Sequence, residues 1–448
     1  MTVFRTQAAW VDGTIARGVD IHVGANGFID AVAPIDQNVR DELVELPGVV
    51  YPGFANAHSH AFHRALRGRT HGDGGTFWTW RQGMYQAAST LNPDSYYRLA
   101  RAVYGEMVLA GVTSVGEFHY VHHNPNGTAY SDPNAMGHAL ISAATDAGLR
   151  ITLLDTCYLS GGLDKTGHVD LQPEQRRFSD GSAHTWANRV SAMADGASVR
   201  IGAAIHSVRA VPRESITEVV AASPSCPLHI HVSEQPAENQ ACLDAYGCTP
   251  TELLHASGAL SERTTAVHAT HLTANDIALL GSTRTFSCFC PTTERDLADG
   301  IGPATALASA GSPLCLGSDQ HAVIDLLEEA RALEMHERLE TNQRGRIQPA
   351  EIVSALTTAG HESLGWTDVG RIAVGERADL VAIRTDTVRT AGSDPGQIVL
   401  SAFAADVDTV VVDGHVRVSG GRHVSIDVQG ELVREISELW AQVDNGQR

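Results

Sequence analysis

The sequence predicts an α/β protein: a (β/α)8 TIM barrel carrying a small β-sandwich domain formed from both chain ends. Eight apolar, strand-like runs alternate with helical segments through the middle of the chain. The short-strand texture of the first residues returns near the end, so the two ends read as one split unit. Histidines and carboxylates collect at the carboxyl ends of several runs, where such barrels carry their chemistry.

Residues 1–48 read as short strands, with turns at Asp12-Gly13 and Asn26-Gly27. Near the other end, Val407 to Val418 reads as a hairpin around Asp413-Gly414. The expected domains are residues 1–48 plus 366–428 for the sandwich and 49–365 for the barrel. Residues 429–448, with Leu432, Val433, Ile436, Leu439 and Trp440 at helical spacing, read as a terminal helix.

The expected barrel strands are 49–57, 112–120, 150–159, 199–206, 228–233, 264–268, 283–290 and 313–319. The helices between them carry start and stop signals. Asn92 caps one that begins at Pro93 and ends before Gly111. Gly148 closes another that begins near Asn134. A doubly wound sheet is the competing fold, but no Gly-rich phosphate loop follows the first strand.

The chain has 448 residues, 32 basic and 52 acidic, for a net charge of −20. That balance argues against nucleic acid or an anionic membrane as a partner. No run approaches the roughly 18 apolar residues that span a bilayer. The start lacks a basic segment followed by an apolar one, so no secretory signal is expected. Seven cysteines without a C-x-x-C pair fit a reducing cytoplasm. Cys288 and Cys290 share a strand face and read as core. The single lysine, Lys165, sits in a loop-like, glycine-rich stretch.

The chemistry starts at His58-Ser59-His60. Residues two apart on a strand share a face, so both imidazoles converge on one point. The fifth run adds His231 and Glu234, the sixth His268, and the eighth Asp319. Three imidazoles and a carboxylate form a mixed N/O set suited to Zn²⁺, with a position left for water. Any one of these residues alone reads as a satisfied core side chain; their coincidence at four strand ends in barrel order favours a site.

That order resembles the amidohydrolase superfamily over nearly the whole chain. Two-metal members use a carboxylated lysine or a glutamate as a bridge. Lys165 lies in a loop, and the fourth run offers His206 instead, so the resemblance is to the one-metal aminohydrolase (deaminase) branch. It implies that His58, His60, His231 and Asp319 bind one zinc per subunit. It implies catalytic roles for Glu234 as proton shuttle, His268 as a charge-steadying donor and Asp319 as proton acceptor.

Four stretches are more specific: Phe54 to Ala65, Phe77-Trp78-Thr79-Trp80-Arg81, Gly116 to His123, and Ala204 to Val211. They resemble the N-formimidoyl-L-glutamate deiminases within that branch. The implied reaction yields N-formyl-L-glutamate and ammonia, a step of histidine degradation. Arg81, Tyr120, His206 and Arg209 are then substrate-binding residues, as is His63, where that family more often carries glutamine. The His63 change fits either a replaced contact or a changed substrate. Bottom-up chemistry agrees on the arginines, because guanidinium is the side chain best shaped to hold a carboxylate.

The implied partner is a small anionic, amino-acid-derived substrate, and the implied assembly a homodimer. The alternative is an aminohydrolase of another amidine or a guanine-like ring, which would not need two arginines. A non-enzymatic barrel used for assembly is a third reading, and the full ligand set argues against it.

Overall fold

A computed structural model describes residues 2–72, 75 and 77–446. Residues 447 and 448, expected at the end of the terminal helix, lie outside the described residues, as does Met1. So do the side chains of Phe77 and Trp78 in the aromatic stretch.

Eight parallel strands lie side by side in chain order: Phe54–Ser59, Val112–His119, Arg150–Cys157, Val199–Ile205, Leu228–Val232, Thr264–His268, Phe286–Phe289 and Leu314–Leu316. Strands two and three are buried at every position. A parallel sheet covered on both faces demands that continuous burial, and the polar residues in these runs, such as Glu117 and Asp155, are buried with their partners. The barrel closes where Ser59 bridges Asp319. There the His60 amide donates to the Asp319 carbonyl at 3.1 Å, and the Ser318 and Asp319 amides donate to the His58 carbonyl at 3.1 and 3.0 Å. Gly317 permits that approach, since a Cβ on it would lie 2.7 Å from the His58 Cβ.

The run expected as one strand, 49–57, is two. Val49–Pro52 pairs antiparallel with Leu380–Ile383 in a second sheet, and the barrel begins only at Phe54. Gly53 makes the crossing, where a Cβ would stand 2.3 Å from the Thr113 Oγ1. This second sheet has nine strands drawn from both chain ends. Its residues alternate between two cores with the strand period of two. Tyr51, Val381, Ile383, Val410 and Val412 join the main barrel core, whereas Val50, Leu380, Ala382 and Val411 pack with Phe4, Ile21 and Ile29. The hairpin turns follow their sequence. Asp12-Gly13 and Asp413-Gly414 all take positive φ, as a two-residue turn between twisted strands requires.

Asn92 caps helix Pro93–Leu109, its side chain accepting from the Ser95 amide at 3.0 Å while Ser95 Oγ accepts from the Asn92 amide. Helix Ala135–Ala147 ends at Gly148 in the left-handed region. The terminal helix Val428–Gly446 lies on Pro93–Leu109, tied by Arg98–Glu435 at 2.9 Å and by Arg101–Glu431. No helix among the described residues is long and apolar enough to cross a membrane. All seven cysteines are free, and Cys288, Cys290 and Cys315 share a small core beneath the barrel mouth.

Candidate active site

The structure brings the expected metal ligands together. Donor atoms of His58, His60, His231 and Asp319 lie within 4.8 Å of one another, and all four residues are buried. His58 Nε2 is 3.1 Å from His231 Nε2, and Asp319 Oδ1 is 3.4 Å from the Nε2 atoms of both His58 and His60. The outer nitrogens explain this aim. His60 Nδ1 donates to the Phe118 carbonyl and His231 Nδ1 to the His206 carbonyl, each at 2.9 Å. Carbonyls only accept, so the proton of each neutral ring sits on Nδ1 and the Nε2 lone pair points inward. Burial, reinforced by the neighbouring imidazoles, holds His58 and His231 far below the ordinary histidine pKa and brings His60 to about 3. Neutral, inward-facing nitrogens beside a carboxylate are the donor set of a borderline divalent ion. The residues fit such an ion.

Backbone strain marks the same place. Asp319 and His268 adopt φ of 42° and 71°, a left-handed region that costs a non-glycine residue about 1–2 kcal/mol. The strain turns both side chains toward one point. His268 Nε2 lies 3.8 Å from Glu234 Oε1 and from Asp319 Oδ2, and its Nδ1 is 3.5 Å from Glu294. Burial opposes charge on His268, but Glu234, Glu294 and Asp319 outweigh it and hold the pKa at about 10. His268 is therefore a donor facing the centre.

A cavity of about 320 Å³ opens above these groups. His63, Arg81, Tyr120, His206 and Arg209 all line it, together with Glu234, His268 and Asp319. Arg209 is held between Glu234 at 3.4 Å and Glu238 at 3.3 Å. Burial works against its charge, and the two carboxylates outweigh the burial and keep it cationic. His206 is driven far below the usual histidine value by burial, with Arg209 and Arg81 adding to it. His63 Nε2 is 2.7 Å from the Tyr120 hydroxyl, and burial with the nearby imidazoles keeps its ring neutral. Arg81 projects from helix Phe77–Thr90 with its guanidinium 5.3 Å from the Tyr85 ring centre.

The amidohydrolase family model matches residues 49–417. The chain belongs to the amidohydrolase family. It is 35% identical to a formimidoylglutamate deiminase of Pseudomonas aeruginosa, across 96% of this chain and 99% of that protein. An 8-oxoguanine deaminase of the same organism is 29% identical, with 86% of each chain covered. Among solved structures, an amidohydrolase from Brucella melitensis superposes with a TM-score of 0.90 at 29% identity, covering 98% of this chain and 100% of its own.

Several residues of this amidohydrolase's pocket carry no signal at the level of sequence spacing. Tyr85, Tyr158 and Phe178 wall the cavity from a helix, a loop and the short helix Pro173–Phe178. Glu294 begins beyond the seventh strand and reaches back under His268. Its only sequence cue is a carboxylate in the first turn of a helix, Pro291–Asp296, that follows a barrel strand. A second buried trio, His119, His122 and Asp155, also lies within 4.8 Å. Its carboxylate is already filled by two 2.8 Å bonds from Arg189 and a 3.0 Å bond from Trp186, so it reads as structural.

Proposed function

We propose that this amidohydrolase hydrolyses N-formimidoyl-L-glutamate to N-formyl-L-glutamate and ammonia, with one zinc ion held by His58, His60, His231 and Asp319. One observation carries the substrate: two arginines, Arg81 and Arg209, line the same cavity as the ligand set. A substrate with two carboxylates and a formimidoyl cation needs such cations, and a neutral purine-like ring does not. The resemblance to a formimidoylglutamate deiminase over both full lengths supports the same reading.

When bound, a divalent ion at these ligands supplies Lewis acidity that lowers the pKa of water toward neutrality. Asp319 has one oxygen toward His58 and His60 and the other toward His268, so Oδ2 is suited to accept a proton from the attacking water. Water oxygen bonds to the formimidoyl carbon, and its proton passes to Asp319. Glu234 presents Oε1 to the centre while Arg209 steadies Oε2. It takes the second proton from the hydroxyl of the adduct and delivers it to the terminal nitrogen as the carbonyl forms, the carbon–nitrogen bond breaks and ammonia leaves; the proton on Asp319 returns to solvent. His268 donates toward the developing charge, with Glu294 orienting its ring. Arg209, Arg81, Tyr120 and His206 bind and orient the substrate.

The aromatic wall and the likeness to an 8-oxoguanine deaminase favour a second reading, a planar ring amidine. Ammonia release measured with both substrate types separates the two. Turnover of formimidoylglutamate at least a hundredfold more efficient supports our reading, and turnover confined to ring amidines removes it. We further propose a cytoplasmic homodimer, testable by light scattering and fractionation.

A further inference from the structure

Gln175 and two tyrosines form a hydrogen-bonding arrangement with a defined direction. Gln175 lies in the short helix Pro173–Phe178 and is buried. Its Oε1 accepts the Gln172 amide at 2.8 Å, and its Nε2 approaches the Gly161 carbonyl at 3.2 Å. These two backbone groups fix which end of the side-chain amide is which, because an N–H needs an acceptor and a carbonyl needs a donor. The same Nε2 donates to the Tyr85 hydroxyl at 3.0 Å and to the Tyr158 hydroxyl at 2.8 Å. Nε2 shares its two hydrogens among the Gly161 carbonyl and the two phenol oxygens and cannot accept, so neither phenol proton can be spent there.

Both rings line the cavity. Tyr158 follows the third barrel strand and lies 4.6 Å from the His206 ring, centre to centre. The next two residues donate their amides to the Ala210 carbonyl at 2.9 Å, which ties this loop to the residue after Arg209. Tyr85 sits beneath the Arg81 guanidinium.

We propose that the Tyr85 and Tyr158 hydroxyls, directed by Gln175, complete an anion subsite with Arg209 and Arg81 that takes the substrate carboxylate farthest from the reacting carbon. This deepens the proposed function and rests on it for the identity of the substrate. Tyr85 and Tyr158 are specificity residues, and Gln175 is a positioning residue.

Equilibrium binding of glutarate to the metal-loaded protein tests the subsite without turnover. Tyr85→Phe and Tyr158→Phe each remove one charge-assisted hydrogen bond and are expected to weaken glutarate about tenfold. The KM for formimidoylglutamate should rise in parallel, with metal content and melting temperature as in wild type. Gln175→Met is expected to weaken glutarate severalfold; a merely structural Gln175 would alter melting while leaving glutarate affinity at the wild-type value. Unchanged glutarate affinity in both phenylalanine variants overturns the subsite. Weakened glutarate binding in a protein that never turns over formimidoylglutamate keeps the subsite and removes the proposed substrate instead.

Discussion

His58 and His231 stand on the first and fifth of eight barrel strands, yet their Nε2 atoms are 3.1 Å apart. The His231 proton is committed to the His206 carbonyl, so its inward nitrogen presents a lone pair to its neighbour. A cation shared with His58, His60 and Asp319 would take that lone pair. His231→Ala should therefore lose the metal, measured by emission spectrometry, and lose activity by at least a hundredfold. Chelation of the wild-type protein should lower its melting temperature, because an ion bound only to the folded state stabilises it by mass action. Full activity in metal-free protein would contradict the whole site.

Arg209 separates binding from metal capture. Its guanidinium lines the cavity and pairs with Glu234 and Glu238 rather than with the proposed metal ligands. Arg209→Ala should keep the metal and lose about 1.5–3 kcal/mol of substrate binding, seen chiefly as a higher KM. A wild-type KM in that variant would remove the arginine argument for a dicarboxylate.

Glu234 faces the centre without being needed to hold the ion. Glu234→Gln keeps the shape and the Arg209 contact but cannot shuttle a proton. It should retain metal while kcat falls about 10²–10⁴-fold, the usual worth of general acid–base catalysis. Loss of metal in that variant would recast Glu234 as a ligand.

Away from the site, His361 predicts an acid sensitivity. Burial, with Arg150 nearby, brings its pKa to about 3, and its Nδ1 donates to the Thr357 carbonyl at 2.8 Å. The folded value lies below the unfolded value of about 6.5, so the unfolded chain takes up the proton first. Stability is fully present above pH 6.5 and is lost as pH falls toward 3. At pH 5 the loss is about 2 kcal/mol from this residue alone. His361→Asn should flatten denaturation-midpoint curves between pH 7 and 5, and an unchanged slope would count against the assignment.

Arg150 joins the barrel to the second sheet. It is fully buried, pairs with Asp379, and reaches Asp413 at 2.8 Å. Asp379→Ala leaves the buried guanidinium with Asp413 as its remaining carboxylate and should cost about 1–3 kcal/mol in chemical denaturation. The metal content should stay as in wild type, because the pair lies at the opposite end of the strand from the ligands.

Much of this was readable in the chain because barrel chemistry sits at strand ends. His58, His60, His231, His268 and Asp319 each close an apolar run, so order along the chain becomes order around the mouth. The break at Gly53 had a cue in the Pro52-Gly53 pair, but hydropathy does not record which sheet a residue joins, so the run read as one strand. Tyr85, Tyr158 and Gln175 were invisible for another reason. They converge from segments with no common period, and only the folded loops set their distances.

The seam between Ser59 and Asp319 has a consequence for folding. The residues that stitch the first stave to the last include three of the proposed metal ligands, His58, His60 and Asp319, so an ion bound there would brace the seam of the cylinder. Amides at this junction, those of His60, Ser318 and Asp319, should exchange hydrogen faster once the ion is stripped, while the far rim stays protected.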